Sequence, residues 1–166
     1  MTGAPGPLVI GVAELLRRLG TQREVTVSAA LDDIAISSAS VVEGAEIEGR
    51  FTLEAMSDHA ITVKGTITAP WTGECRRCLR TIDGTVSLDV EEVFETGPVE
   101  GETYRLDGDR LNVEPLVRDA VLLALPLAPL CEVACPGPEP QGHPIGTDSS
   151  SDIDPRWSGL GDLKFE

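Results

Sequence analysis

Apolar and polar residues alternate through the first half of the chain, and the period turns helical in the second. Ile47, Gly49, Phe51, Leu53 and Ala55 alternate with Glu46, Glu48, Arg50, Thr52 and Glu54, and Ile61, Val63, Gly65, Ile67 and Ala69 repeat the habit. Such period-two runs mark half-buried antiparallel strands, and these two predict a hairpin. Val25 and Val27 predict an earlier strand, and Val86, Leu88 and Val90 a later one. The phase of the later strand slips to Val93, which predicts a bulge or bend near Glu91. Asp83-Gly84 reads as a turn just before that strand.

Helical spacing occurs twice. Val12, Leu15, Leu16 and Leu19 predict a helix over Gly11 to Leu19, with Gly20 in the left-handed position that follows a helix and Arg17 and Arg18 at its negative end. A second helix is expected from Glu114 to Leu125, with Pro115 in its first turn and Pro126 ending it. Leu116, Ala120 and Leu123 form its inner stripe, thickened by Val117, Val121 and Ala124, while Arg118 and Asp119 face water. Residues 1–7 read as a loose end, and 95–110 as an acidic loop holding a short strand at Tyr104 and Leu106. Beyond Cys135 the chain offers little to bury, so 136–153 is expected to be disordered. Trp157, Leu160 and Leu163 make 154–163 a short docking segment. The fold class expected is α+β: mostly antiparallel β-sheet or partial barrel, with two short helices and a disordered acidic C-terminal tail. A single domain would span 1–135 and a flexible tail 136–166.

Charge narrows the function classes. Acidic residues outnumber basic ones 28 to 13, a net charge of −15. General binding to a nucleic-acid backbone, which needs Lys and Arg to displace counterions, is disfavoured, and a basic protein partner suits the surface. The longest apolar run, Val121 to Leu130, is broken by Pro126 and Pro129 and is too short to span a bilayer. With no signal-like amino-terminal stretch, the expectation is a cytoplasmic protein with no membrane partner.

In that compartment paired cysteines point to metal binding or redox chemistry rather than to disulfides. Cys75-Arg76-Arg77-Cys78 lies where a hairpin tip is expected, and Cys131-Glu132-Val133-Ala134-Cys135 follows the second helix. Four thiolates make a closed set for structural zinc, and no cysteine is left over. Such a cross-link would support a core poor in aromatics. Reduced incidental thiols and a redox pair or disulfide are the alternatives; a thioredoxin-type site is disfavoured because its C-x-x-C opens a helix. Arg76, Arg77 and Arg80 crowd the first pair. They either reach an RNA phosphate or another partner, or offset the formal charge of about −2 on a zinc tetrathiolate. His59 and His143 read as solvated, and no phosphate loop, nucleophile elbow or paired-histidine motif occurs. No enzyme and no small-molecule substrate are expected.

The blocks PLVIGVAELLRRLGTQREV, TAPWTGECRRCLRTIDGTV and RLDGDRLNVEPLVRDAVLLALPLAPLC, with the late DPRWSGL, resemble the YceD family, the large ribosomal RNA subunit accumulation proteins. The resemblance implies a non-enzymatic bacterial cytosolic factor needed for large-subunit ribosomal RNA to accumulate or be processed. Its partners would be ribosomal RNA, large-subunit assembly intermediates or a basic ribosomal protein. Similar proteins often continue with G-L-C-x-x-C-G where this chain reads CPGPEPQGHP. That departure favours the four remaining cysteines acting together and leaves a degenerate, metal-free site as the alternative. A zinc-stabilised acidic interaction module unrelated to ribosomes is the competing function, with a small thiol-redox or hydrolytic enzyme behind it.

Overall fold

The computed structural model describes residues 6–138, so the docking segment expected at 154–163, His143 and nearly all of the expected tail lie outside the described residues. In chain order the elements are β1 (Val9–Gly11), α1 (Ala13–Leu16), β2 (Gln22–Ala30), β3 (Ala39–Val41), β4 (Glu46–Ser57), β5 (Ala60–Glu74), β6 (Thr81–Glu95), β7 (Tyr104–Asp107), β8 (Arg110–Asn112) and α2 (Glu114–Ala124). The strands form one curled half-barrel sheet in the order β1-β8-β7-β6-β5-β4-β2, with β3 paired to the far end of β5. All pairings are antiparallel except the short parallel contact of β6 with β7. The mostly β-sheet architecture with two helices matches the sequence pattern.

Burial follows the alternation. Ile47, Phe51, Leu53 and Ala55 of β4, Ile61, Val63, Ile67 and Ala69 of β5, and Phe94 of β6 are buried in one cluster with Leu116, Val117, Ala120 and Val121 of α2. Each large aliphatic side chain so buried contributes roughly 1.5–3 kcal/mol. Two aromatics sit opposite glycines across adjacent strands: Phe51 pairs with Gly65, and Trp71 with Gly84. A Cβ on Gly65 would lie 2.0 Å from the Arg50 carbonyl oxygen, and one on Gly84 would lie 2.8 Å from the Trp71 ring. Backbone and ring therefore close onto the space a side chain would take, which lets the long strands curl.

Several expectations are corrected. The β5–β6 register is continuous from Ala60↔Glu95 to Glu74↔Thr81, so no bulge occurs at Glu91. Phe94, not Val93, continues the inward phase of Val86, Leu88 and Val90; Glu92 merely occupies one of its positions. The irregularity sits instead between Ala55 and Ser57 of β4. Asp83-Gly84 is inside β6 rather than in a turn, because Gly84 is needed beneath Trp71. The first helix keeps only Ala13–Leu16. Gly11 belongs to β1, and Leu19 is 59% exposed with nothing to pack against, although Gly20 does adopt the left-handed conformation (φ 76°). Leu123 is 87% exposed. It lies about 90° around the helix from the centre of the buried arc, at 100° per residue.

The second half of the sheet is tied to α2 through Tyr104. Its ring stacks on Phe94 at a centroid distance of 5.0 Å, and its hydroxyl donates to Asp119 Oδ2 at 3.1 Å. Partial burial, then the Asp119 carboxylate, push the phenol up to about 12 from 10.0. The fold thus favours the neutral phenol: its stabilising contribution is complete below about 10 and is lost as pH rises through about 12. Because the chain has 1 tyrosine, phenolate absorbance reads this group alone. The titration midpoint is expected near 12 in the native protein, and Asp119→Asn should move it down toward 10; a native midpoint already at 10 would contradict the contact.

Candidate metal centre

The β5–β6 connection is the hairpin tip expected from sequence, and it carries the first cysteine pair. Strand pairing ends at Glu74↔Thr81, and the loop between closes with two backbone bonds: Cys75 N–H to the Arg80 carbonyl (2.9 Å) and Leu79 N–H to the Cys75 carbonyl (2.9 Å). Leu79 takes a left-handed φ of 60°, rare for a residue with a γ-branched side chain and worth roughly 1–2 kcal/mol of strain. This turn brings the Arg80 N–H onto the Cys78 sulfur, while the N–H groups of Cys78, Cys131 and Arg77 address Cys75. The sequence gives no warning of the strain, since Gly or Asn is the usual occupant of such a position.

The second pair arrives from α2. Leu125 is extended (φ −59°, ψ 138°) ahead of Pro126, so the chain leaves the helix in a Pro-punctuated loop. That loop is fastened twice: the Ser38 hydroxyl donates to the Pro126 carbonyl (2.9 Å), and the Arg76 N–H donates to the Pro129 carbonyl (3.0 Å). A tight turn then closes through the Cys135 N–H and the Glu132 carbonyl (3.1 Å).

All four sulfurs converge. Cys75 and Cys135 are buried and lie 3.8 Å apart; Cys78 and Cys131 are half-buried and also 3.8 Å apart, and every sulfur lies within 4.8 Å of the others. None of the four is joined in a disulfide. Four sulfurs set tetrahedrally at the ~2.3 Å of a zinc–thiolate bond would be about 3.8 Å apart, so the spacing accommodates a metal ion. The closing pairs join the two loops rather than lying within one.

The electrostatics fit the same use. Backbone N–H groups, chiefly that of Cys78, hold the Cys75 thiol down to about 5 from 9.0. Cys78 is also lowered, first by the Arg80 N–H. Cys131, hydrogen-bonded to Cys135 and partly desolvated, is pushed up to about 12. The first thiolate in the cluster is welcome and further ones resist, which is how four close thiols behave until a cation joins them.

The arginines divide. Arg77 Nη1 donates to the Cys135 carbonyl (2.8 Å) and Arg80 Nη2 to the Cys131 sulfur (3.4 Å), and the cysteines raise the Arg80 guanidinium. Arg80 thus places its charge at the sulfurs, whereas Arg77 fastens the backbone of the second cysteine loop. Arg76 lends only its backbone to the loop, and its exposed side chain lines an open cleft of about 490 Å³ with Leu79, Ser38, Ser40 and Thr72. Leu79, Leu127 and Val133, all on the cysteine loops, are exposed. Sequence periodicity does not flag them, because loops have no period. His59 is away from the centre, in the β4–β5 turn beside Asp58.

No helix among the described residues is long and apolar enough to cross a membrane. The family profile described as large ribosomal RNA subunit accumulation protein YceD matches residues 63–164, a span that holds all four cysteines. Uncharacterized proteins of Mycobacterium tuberculosis and Mycobacterium bovis are each 32% identical over 93% of this chain and 80% of their own length. An uncharacterized protein of Mycobacterium leprae is 31% identical over 95% of this chain and 77% of its own. No solved structure matches the chain. The profile match over 63–164 and the mycobacterial relatives agree on one assignment: the chain belongs to the YceD family of large ribosomal RNA subunit accumulation proteins.

Proposed function

We propose that this protein is a non-enzymatic, cytoplasmic factor supporting the accumulation of large-subunit ribosomal RNA, acting by binding a partner, with zinc in the tetracysteine centre as a structural clamp. The observation that carries the reading is the convergence of four thiols from two distant loops within the region matched to the family. The donor set is all sulfur, matching closed structural zinc sites rather than catalytic ones with an open position. Exposed Arg76, Leu79, Leu127 and Val133 on the two cysteine loops offer a cation and apolar side chains, a composition suited to a partner. A net charge of −15 favours a basic protein of the large subunit or its assembly intermediates over bare RNA as the main contact. The same acidity is what the competing reading, an interaction module unrelated to ribosomes, rests on.

Two outcomes are expected. Depleting the protein should lower large-subunit ribosomal RNA relative to small-subunit RNA, with recovery on re-expression of the native chain; an unchanged ratio removes the ribosomal reading. For the clamp, Cys131→Ser should lose the metal and about 3–4 kcal/mol of stability, the linkage expected when a ligand exceeds its dissociation constant by 100- to 1,000-fold. A strong chelator should bring the native protein down to the variant's denaturation midpoint and leave the variant unmoved.

A further inference from the structure

β6 is the longest open edge of the sheet. On one side it is paired with β5 along its whole length; on the other it meets β7 only at Phe94 and Glu95. From Thr81 to Val93 no other strand among the described residues takes up that side. At ~3.3 Å per residue the free edge runs roughly 40 Å, and its outward-pointing N–H and C=O groups are a template for another strand.

The side chains along this edge have two distinct characters. The exposed face carries Asp83, Asp89 and Glu91, interleaved with Thr81, Thr85 and Ser87. The opposite face carries Val86, Leu88 and Val90, packed against the core on one side and only half-buried. A strand added here would set alternate side chains beside carboxylates and the others beside aliphatic groups. A second copy of this chain is a poor occupant, because self-pairing opposes acidic edge to acidic edge. A polyanionic nucleic acid is disfavoured by the same charges.

We propose that the β6 edge is a docking site for an extended basic protein segment, which adds to the sheet as a further strand with lysine or arginine alternating with β-branched residues. This deepens the functional reading by giving the partner's chemistry, and it rests on that reading only for the partner's source. The acidic face thereby does two things: it blunts aggregation at an open edge and selects a cationic strand. At its Thr81 end the edge adjoins the first cysteine loop, whose cleft Thr81 lines together with Arg76 and Leu79.

The test uses the full-length protein and a synthetic peptide of about nine residues alternating lysine and valine, the periodicity the edge requires. Binding should protect alternate amides between Thr81 and Val93 from hydrogen exchange. N-methylating the peptide backbone at alternate positions, which removes strand bonds and leaves charge intact, should weaken binding at least about tenfold, as should Asp83→Lys combined with Asp89→Lys. Equal affinity for the N-methylated peptide would overturn the proposal in favour of plain charge attraction. Amides of 81–93 already protected in the free monomer would give the edge to the chain's own remaining residues, and protection with dimerisation would give it to a second copy. Displacement of the peptide by short single-stranded RNA would also overturn it. Loss of edge protection alongside a normal depletion phenotype would refute this proposal alone, whereas an unchanged ribosomal RNA ratio with intact edge binding would refute only the functional reading.

Discussion

Four sulfur atoms within 4.8 Å of one another cannot all be charged unless something neutralises them, and this constraint governs the second half of the molecule. Two thiolates at ~4 Å repel by about 4 kcal/mol at an effective dielectric constant of 20. The protein softens the repulsion with backbone N–H groups at Cys75 and Cys78 and with the Arg80 guanidinium, which donates to the Cys131 sulfur. Those groups favour a thiolate at Cys75, whereas Cys131, hydrogen-bonded to Cys135 and partly desolvated, resists losing its proton. A divalent cation would offset the remaining repulsion, and the proposed zinc rests on that requirement together with the sulfur spacing.

The centre also settles a mechanical problem. The β5–β6 hairpin reaches beyond the β4–β5 pairing, which begins at Thr68 of β5, and only short β3 supports its far end on that side. Joining Cys75 and Cys78 to Cys135 and Cys131 fixes that tip to the exit of α2, the helix whose Leu116, Val117, Ala120 and Val121 cover the core. Close approach of the Arg50 backbone to Gly65 and of the Trp71 ring to Gly84 marks where the long strands curl. β6, paired with β5 throughout and with β7 only at its end, keeps one open side among the described residues.

The long strands and α2 were legible in the sequence because their burial is one-sided, and one-sided burial writes a period into the chain. Ile47 to Ala55 and Ile61 to Ala69 show it directly. The tetracysteine set was legible for a different reason: thiols in two close pairs with none to spare imply convergence whatever the fold. Failures occurred where local signals competed with tertiary contacts. Asp83-Gly84 has turn chemistry, yet Trp71 claims Gly84 for the sheet. Val93 suggested a phase slip because Glu92 interrupts an apolar row that Phe94 resumes. Leu123 has helical spacing but sits at the rim of the buried arc, and the strained Leu79 turn, β1, β3 and β8 are too short to carry a period at all.

X-ray absorption at the zinc edge, on freshly purified protein whose metal content is measured in the same sample, separates a zinc tetrathiolate from metal-free thiols. One zinc per chain is expected, with four sulfur neighbours at about 2.3 Å and no titratable thiols in the folded protein. Metal-free protein with four reactive thiols, or a zinc shell containing nitrogen or oxygen, would contradict the proposed clamp.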